Sequence, residues 1–350
     1  MASRRSFLAG LVAATLPRPG WADVGNPAYL AAAKTPDGTF ALHGLSHAGD
    51  SLFAIPLPAR GHAGCAHPTQ ARCVAFARRP GTYALVLDAF SGTVLHQLTP
   101  PANRHFNGHG TYSTDGTLLF TVEQAADDST GYLGLWDTAG YTRIGDVPTH
   151  GIGPHDMRRL PDGSLIVANG GIATDPTDRT KLNLDTMRAN IAHLAPDGTP
   201  ISLAELPGDM HQNSIRHLTL IPGGAALALQ WEGDAAEPVP LLGLWQAGQI
   251  TLHPSPDAQS LRMLGYAGSI AATANRIAIT SSHGGVVQLF DHQGAFIATL
   301  PRTDASGIAA MGADFLVTDG TGALTRLTDT TFSAVNLMHV AWDNHLVALT

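Results

Sequence analysis

Helical periodicity is nearly absent from this chain of 350 residues. Short apolar runs bounded by Gly, Pro, Asp and Asn take its place, which argues for strands and against a helical bundle. Cysteine is scarce: only Cys65 and Cys73 are present, so a zinc knuckle with its second pair is excluded. The two cysteines flank a turn around Thr69. A disulfide across a hairpin and two buried free thiols are both open readings. Positive charge is also short. Lys and Arg total 20 against 28 Asp and Glu, a net charge of -8, and no basic stripe is visible, which argues against a nucleic-acid partner. Three catalytic signatures are missing as well. There is no Gly-x-Ser-x-Gly elbow, no Walker loop and no His-Glu-x-x-His helix.

The N-terminus carries Ser3-Arg4-Arg5-Ser6-Phe7-Leu8, an apolar run to Leu16 and the small-residue stretch Gly20-Trp21-Ala22. The run is too short for a stable membrane span. The pattern predicts a twin-arginine-type export signal over residues 1–22 and a periplasmic mature domain over 23–350, with no transmembrane segment in it.

What the chain has in abundance is a repeat. Arg104-His105-Phe106-Asn107-Gly108-His109-Gly110 is a polar, histidine-bearing entry into a strand, followed by a turn at Asp115-Gly116 and a second strand. The unit returns at Pro154-His155 with its Asp162-Gly163 turn, and at Arg216-His217 with its Gly223-Gly224 turn. Such recurrence marks a repeat architecture. Full units begin near His62, His109, His155, His217, Gly268 and Gly307. A seventh begins at His339, carries Val340 to Asn344 and His345 to Leu349, and then the chain ends. Spare strands stand at the other terminus, between Tyr29 and Leu57. The expectation is an all-β fold, a seven-bladed β-propeller closed by N-terminal strands that complete the C-terminal blade.

In a propeller the first strand of each blade lines the central channel, so equivalent positions converge. His62, His109, His155 and His217 all open first strands. Imidazoles at a channel mouth suit iron, copper or zinc, and Glu123 would add an oxygen ligand. The alternative is that each histidine bonds backbone carbonyls and plugs the channel. Arg78, Arg79, Arg104, His105, Asn169 and Arg216 fall in loops or strand ends on the same face. Guanidinium groups there suit carboxylates or phosphates, or pair with acids between blades. The insertion from Gly170 to Asn190 either lids the mouth or braces a blade.

Arg78-Arg79-Pro80-Gly81, the Arg104–Gly110 stretch, Gly151-Ile152-Gly153-Pro154-His155, Asn169-Gly170-Gly171-Ile172, Lys181-Leu182-Asn183-Leu184-Asp185 and Ser214-Ile215-Arg216-His217-Leu218 together resemble an exported bacterial family. It is known as domain of unknown function fifteen-thirteen. The resemblance implies a quinoprotein amine-dehydrogenase-like propeller. It also implies a setting beside an imelysin-like iron-uptake protein or a di-haem oxidoreductase. The expected function is a periplasmic binding protein in iron or other metal uptake. Two alternatives use the same face: a metal-dependent oxidoreductase or lactonase-like hydrolase, and a ligand-free protein-interaction platform.

Overall fold

The structure is a computed structural model that describes residues 27–349, so the expected signal at residues 1–22 lies outside it. Seven four-stranded antiparallel sheets make up the fold. Blade 1 spans residues 61–98, blade 2 104–152, blade 3 154–205, blade 4 213–253, blade 5 269–301 and blade 6 305–337. Blade 7 takes its innermost strand, Ala341–Ala348, from the C-terminal end and its other three from residues 29–57. Tyr29 pairs with Ala348 and Lys34 with Ala341, so the first and last strands close the ring. Val340–Asn344 and His345–Leu349 do not form two strands. One continuous strand runs through both, with Ala341, Trp342 and Leu346 to Ala348 paired along Tyr29–Lys34 on either side of a bulge.

Strand alternation explains how the blades stack. Along Leu165–Asn169, Leu165 and Val167 pack toward blade 2, and Ile166 and Ala168 toward blade 4. A middle strand with both faces buried is apolar on both, as Leu165 to Ala168 are here. Outermost strands alternate instead, with Ser51–Leu57 showing exposed and covered residues in turn. Each of seven hydrophobic clusters fills one junction between neighbouring blades, including that between blades 7 and 1. Burial of this apolar surface is the main stabilising term.

The same alternation decides the cysteines. Cys65 and Cys73 do lie on adjacent strands, but Cys65 pairs with Val74 and Cys73 with Ala66. Directly paired residues share a face, so the two thiols point to opposite faces. Cys73 packs toward blade 7 and Cys65 toward blade 2, and both are free. The hairpin symmetry about Thr69 places them on neighbouring strands without placing them face to face.

Candidate functional site

The innermost strands are Gly61–Ala66, Arg104–Tyr112, Pro154–Arg159, Asn213–Ile221, Ser269–Ala272, Ala305–Met311 and Ala341–Ala348. Five of them carry a histidine at or within a break in strand register. His62 lies between Gly61 and Gly64, His109 between Phe106 and Gly110, and His155 between Pro154 and Asp156. His217 closes the break after Ile215, and His345 lies in the break between Leu346 and Trp342. A bulge adds backbone to one strand and re-aims the side chain there. Here it turns imidazoles toward the axis. Arg216 is itself the extra residue of its bulge, so it and His217 both reach the channel although they are neighbours in sequence. Blades 5 and 6 contribute small residues instead, Ser269, Ser306 and Gly307.

The five rings form one compact cluster. Centroids are 4.3 Å apart for His62 and His345, 4.5 Å for His217 and His345, and 4.6 Å for His155 and His217. His109 stands 5.0 Å from both His62 and His345. None of the five is more than 7% exposed. Two overlapping triads, His62–His109–His345 and His109–His155–His217, bring candidate ligand nitrogens within 4.8 Å of one another.

The hydrogen bonding of the cluster is incomplete. Nε2 of His345 and Nε2 of His62 are 3.2 Å apart. Nδ1 of His109 lies 3.0 Å from Oδ1 of Asp156. Nδ1 of His62, Nε2 of His109, both nitrogens of His155 and Nδ1 of His217 are buried without a hydrogen-bond partner, although Oδ1 of Asp343 stands 4.0 Å from Nδ1 of His62. Burial, followed by the neighbouring imidazoles and Arg78, holds His62 well below the ordinary histidine value. Burial is also the leading cause for His155, His217 and His345, all likewise lowered. These four rings are therefore neutral, each with a lone pair to offer. Asp156 is fully buried, which alone would raise its carboxyl. The Arg158 guanidinium and the bond to His109 outweigh burial and hold it well below the usual carboxylate range. A carboxylate on Nδ1 sets the His109 tautomer and leaves Nε2 free, an arrangement common behind metal-bound histidines.

This imidazole layer divides the channel into two chambers. On one side a cavity of about 180 Å³ has His62, His155 and His217 among its lining, together with Arg78, Arg79 and Arg216. On the other side a wider vestibule of about 470 Å³ ends on His109 and His345. The insertion of blade 3 supplies Arg179 and Lys181 to the smaller cavity, and Lys181 pairs with Glu232 of blade 4. It also ties back to blade 2 through Thr174 and Ser129, so it both covers the mouth and braces its neighbours.

The structure thus brings His62, His109, His155, His217, Arg78, Arg79 and Arg216 to one place. It does not bring Glu123, Asn169 or Arg104 there. Glu123 lies on the second strand of blade 2, fully buried, where it accepts two bonds from Arg143, at 2.7 and 3.0 Å, and one from Thr121. It forms an ion pair within its own blade and belongs to neither histidine triad. Asn169 spends its amide on Thr149 and Asn190, at 2.7 to 2.9 Å, and so stitches strands together. Arg104 stacks on Tyr132, 3.2 Å from the ring centroid, and reaches Asp146 at 3.7 Å within its own blade. His105 is not among the residues that line the cavity, but it feels two of its arginines. Burial and the charges of Arg79 and Arg179 lower it to about 4.

His345 is the histidine of the cluster that sequence reasoning leaves out, and Asp156 and Arg179 are missed with it. A signal for His345 exists: Asn344-His345-Leu346 matches the polar–His–Leu form of Arg216-His217-Leu218. Reading the C-terminal segment as a blade's beginning at His339 hides the equivalence.

Solved structures share this fold at low sequence identity. A hydrazine synthase chain from Kuenenia stuttgartiensis aligns with TM-score 0.65 and 13% identity, over 87% of this chain and 97% of that one. A streptogramin B lyase aligns with TM-score 0.56 and 16% identity, over 79% and 83%. BamB from Moraxella catarrhalis aligns with TM-score 0.54 and 12% identity, over 90% and 82%. Likeness at this distance speaks for the propeller alone. Among curated proteins no match is found. A family profile described as protein of unknown function, DUF1513, matches residues 55–349, and the chain belongs to that family.

Proposed function

We propose that this is a periplasmic binding protein that holds a transition-metal ion in the imidazole layer of its channel. The observation that carries the reading is five buried ring nitrogens without hydrogen-bond partners, in a cluster that contains two triads whose candidate ligand atoms each lie within 4.8 Å of one another. Each unpartnered buried polar atom costs about 1–3 kcal/mol. A metal removes that cost for each nitrogen it takes up, one per ring, whereas a structural plug would bond its nitrogens to backbone carbonyls. No such bond is made by these five histidines among the described residues. Neutral imidazole suits zinc, copper or iron, and His109 belongs to both triads.

Metal analysis of protein exported in its native host tests the reading. About one equivalent of zinc, copper or iron is expected. Replacing His109 and His155 together by Gln should weaken binding by more than about a hundredfold, beyond the effect of losing an outer-shell partner. Wild type that takes up no metal at any pH, alongside a double variant that loses its fold, would establish the plug instead.

A second reading, a metal-dependent oxidoreductase or hydrolase, is favoured by the small cavity that opens onto His62, His155 and His217. Turnover of redox dyes or lactones by metal-loaded protein distinguishes it. A place in iron uptake beside an imelysin-like protein or a di-haem oxidoreductase follows from the family resemblance. Co-purification from the native periplasm tests it.

A further inference from the structure

We propose that the small cavity above the imidazole layer binds a small polycarboxylate, held by arginines from three parts of the chain. Five cationic side chains line it: Arg78, Arg79, Arg179, Lys181 and Arg216. Among the described residues Glu232 is the one carboxylate in that lining, and Lys181 already pairs with it. Arg216 is 3% exposed, and its Nη2 reaches Glu232 only at 3.7 Å. Its Nε and Nη1 are buried and have no partner. Arg78, Arg79 and Arg179 form no ion pair among the described residues. Four like charges thus face one cavity in a chain whose net charge is -8.

Such crowding is unfavourable unless an anion occupies the space. The donors also fit. Guanidinium forks match carboxylate oxygens in pairs. Tyr266 accepts from Nδ2 of Asn344 at 2.7 Å, which leaves its own hydroxyl hydrogen to donate. The volume, about 180 Å³, sets the size. It is below the roughly 300–1,000 Å³ of sites for drug-sized ligands, so a nucleotide does not fit. The arginines come from the loop after Arg72–Ala77, from the blade 3 insertion and from Asn213–Ile221. They approach from different sides, which suits two or three separated carboxylates better than one compact tetrahedral ion.

The inference does not require the metal. Titration calorimetry on chelator-treated, metal-free protein with succinate, citrate, acetate and phosphate tests it. Citrate or succinate should bind at least about tenfold tighter than acetate or phosphate, since each further charge-assisted contact contributes about 1.5–3 kcal/mol. Arg79→Gln should weaken that binding by at least about tenfold. Arg78→Gln, at the half-buried rim, should also weaken it and serves if the first variant fails to fold. Tighter binding of phosphate than of any carboxylate would overturn the proposal. So would no binding of citrate or succinate, or binding unchanged in both variants. Polycarboxylate binding by protein that takes up no metal would remove the metal reading and leave this one standing.

Discussion

Neutral imidazole is what His62, His155, His217 and His345 share, and burial is its first cause. Folded-state values below the ordinary one have a definite consequence for acid stability. Between those lowered values and about 6.5, the unfolded chain binds protons that the folded chain does not, so folding weakens as pH falls through that window. Asp156 acts in the same direction at lower pH, because its ion pair is lost when the carboxyl protonates. The melting temperature of metal-free protein should therefore drop steadily from about pH 7 to pH 5, and less steeply in His155→Gln, which removes one titrating group. A wild-type melt that is flat over that range would contradict the neutral cluster. Metal affinity should decline in the same direction, since protons and metal compete for the same lone pairs.

At the scale of the element, the bulged inner strand is the device that builds the site. Gly108 shows what it requires. Its φ is +98°, and a Cβ there would meet Cδ2 of His62 at 2.4 Å. Both the backbone angle and the close approach call for glycine. Gly108→Ala should cost about 1–3 kcal/mol in stability. It should also displace His62, seen as weaker metal binding, whereas Gly145→Ala has open space around it and should change neither. Equal effects of the two substitutions on metal binding would mean that the Gly108 bulge does not set the His62 position. The insertion is a second such element. Its Arg179 and Lys181 reach the cavity from a loop that Asn183 anchors to Gly171 and Ala173 and Thr174 anchors to Ser129.

For the whole molecule, closure is the decisive feature. Ala341–Ala348 is an innermost strand, so it both completes blade 7 and packs beside the inner strands of blades 6 and 1. Removing residues 341–350 should strip His345 from the site and expose the inner edge of Tyr29–Lys34. The expected result is aggregation, or a broad melt in place of a single cooperative one, read by scanning calorimetry and light scattering. A monomeric truncation with an unchanged melt would show that the ring does not depend on this strand.

The sequence by itself determined the repeat, the blade count and the closure. Each rests on local pattern: turn residues at fixed offsets, two-sided apolar runs in middle strands such as Leu165 to Ala168, and an unfinished last unit. It also marked His62, His109, His155 and His217, because equivalent places in successive blades share radius and height. Tertiary structure alone decided which neighbours those residues meet. Glu123, Asn169 and Arg104 have the chemistry and nearly the right loop, but strand alternation and nearby partners take them into the blades. A one-residue offset sends Cys65 and Cys73 to opposite faces. His345 joins the cluster through a strand that only ring closure makes an inner one. Position along a strand is a local property of the chain. The direction of a side chain at a bulge depends on register with a partner strand, and for His345 that partner lies some three hundred residues away.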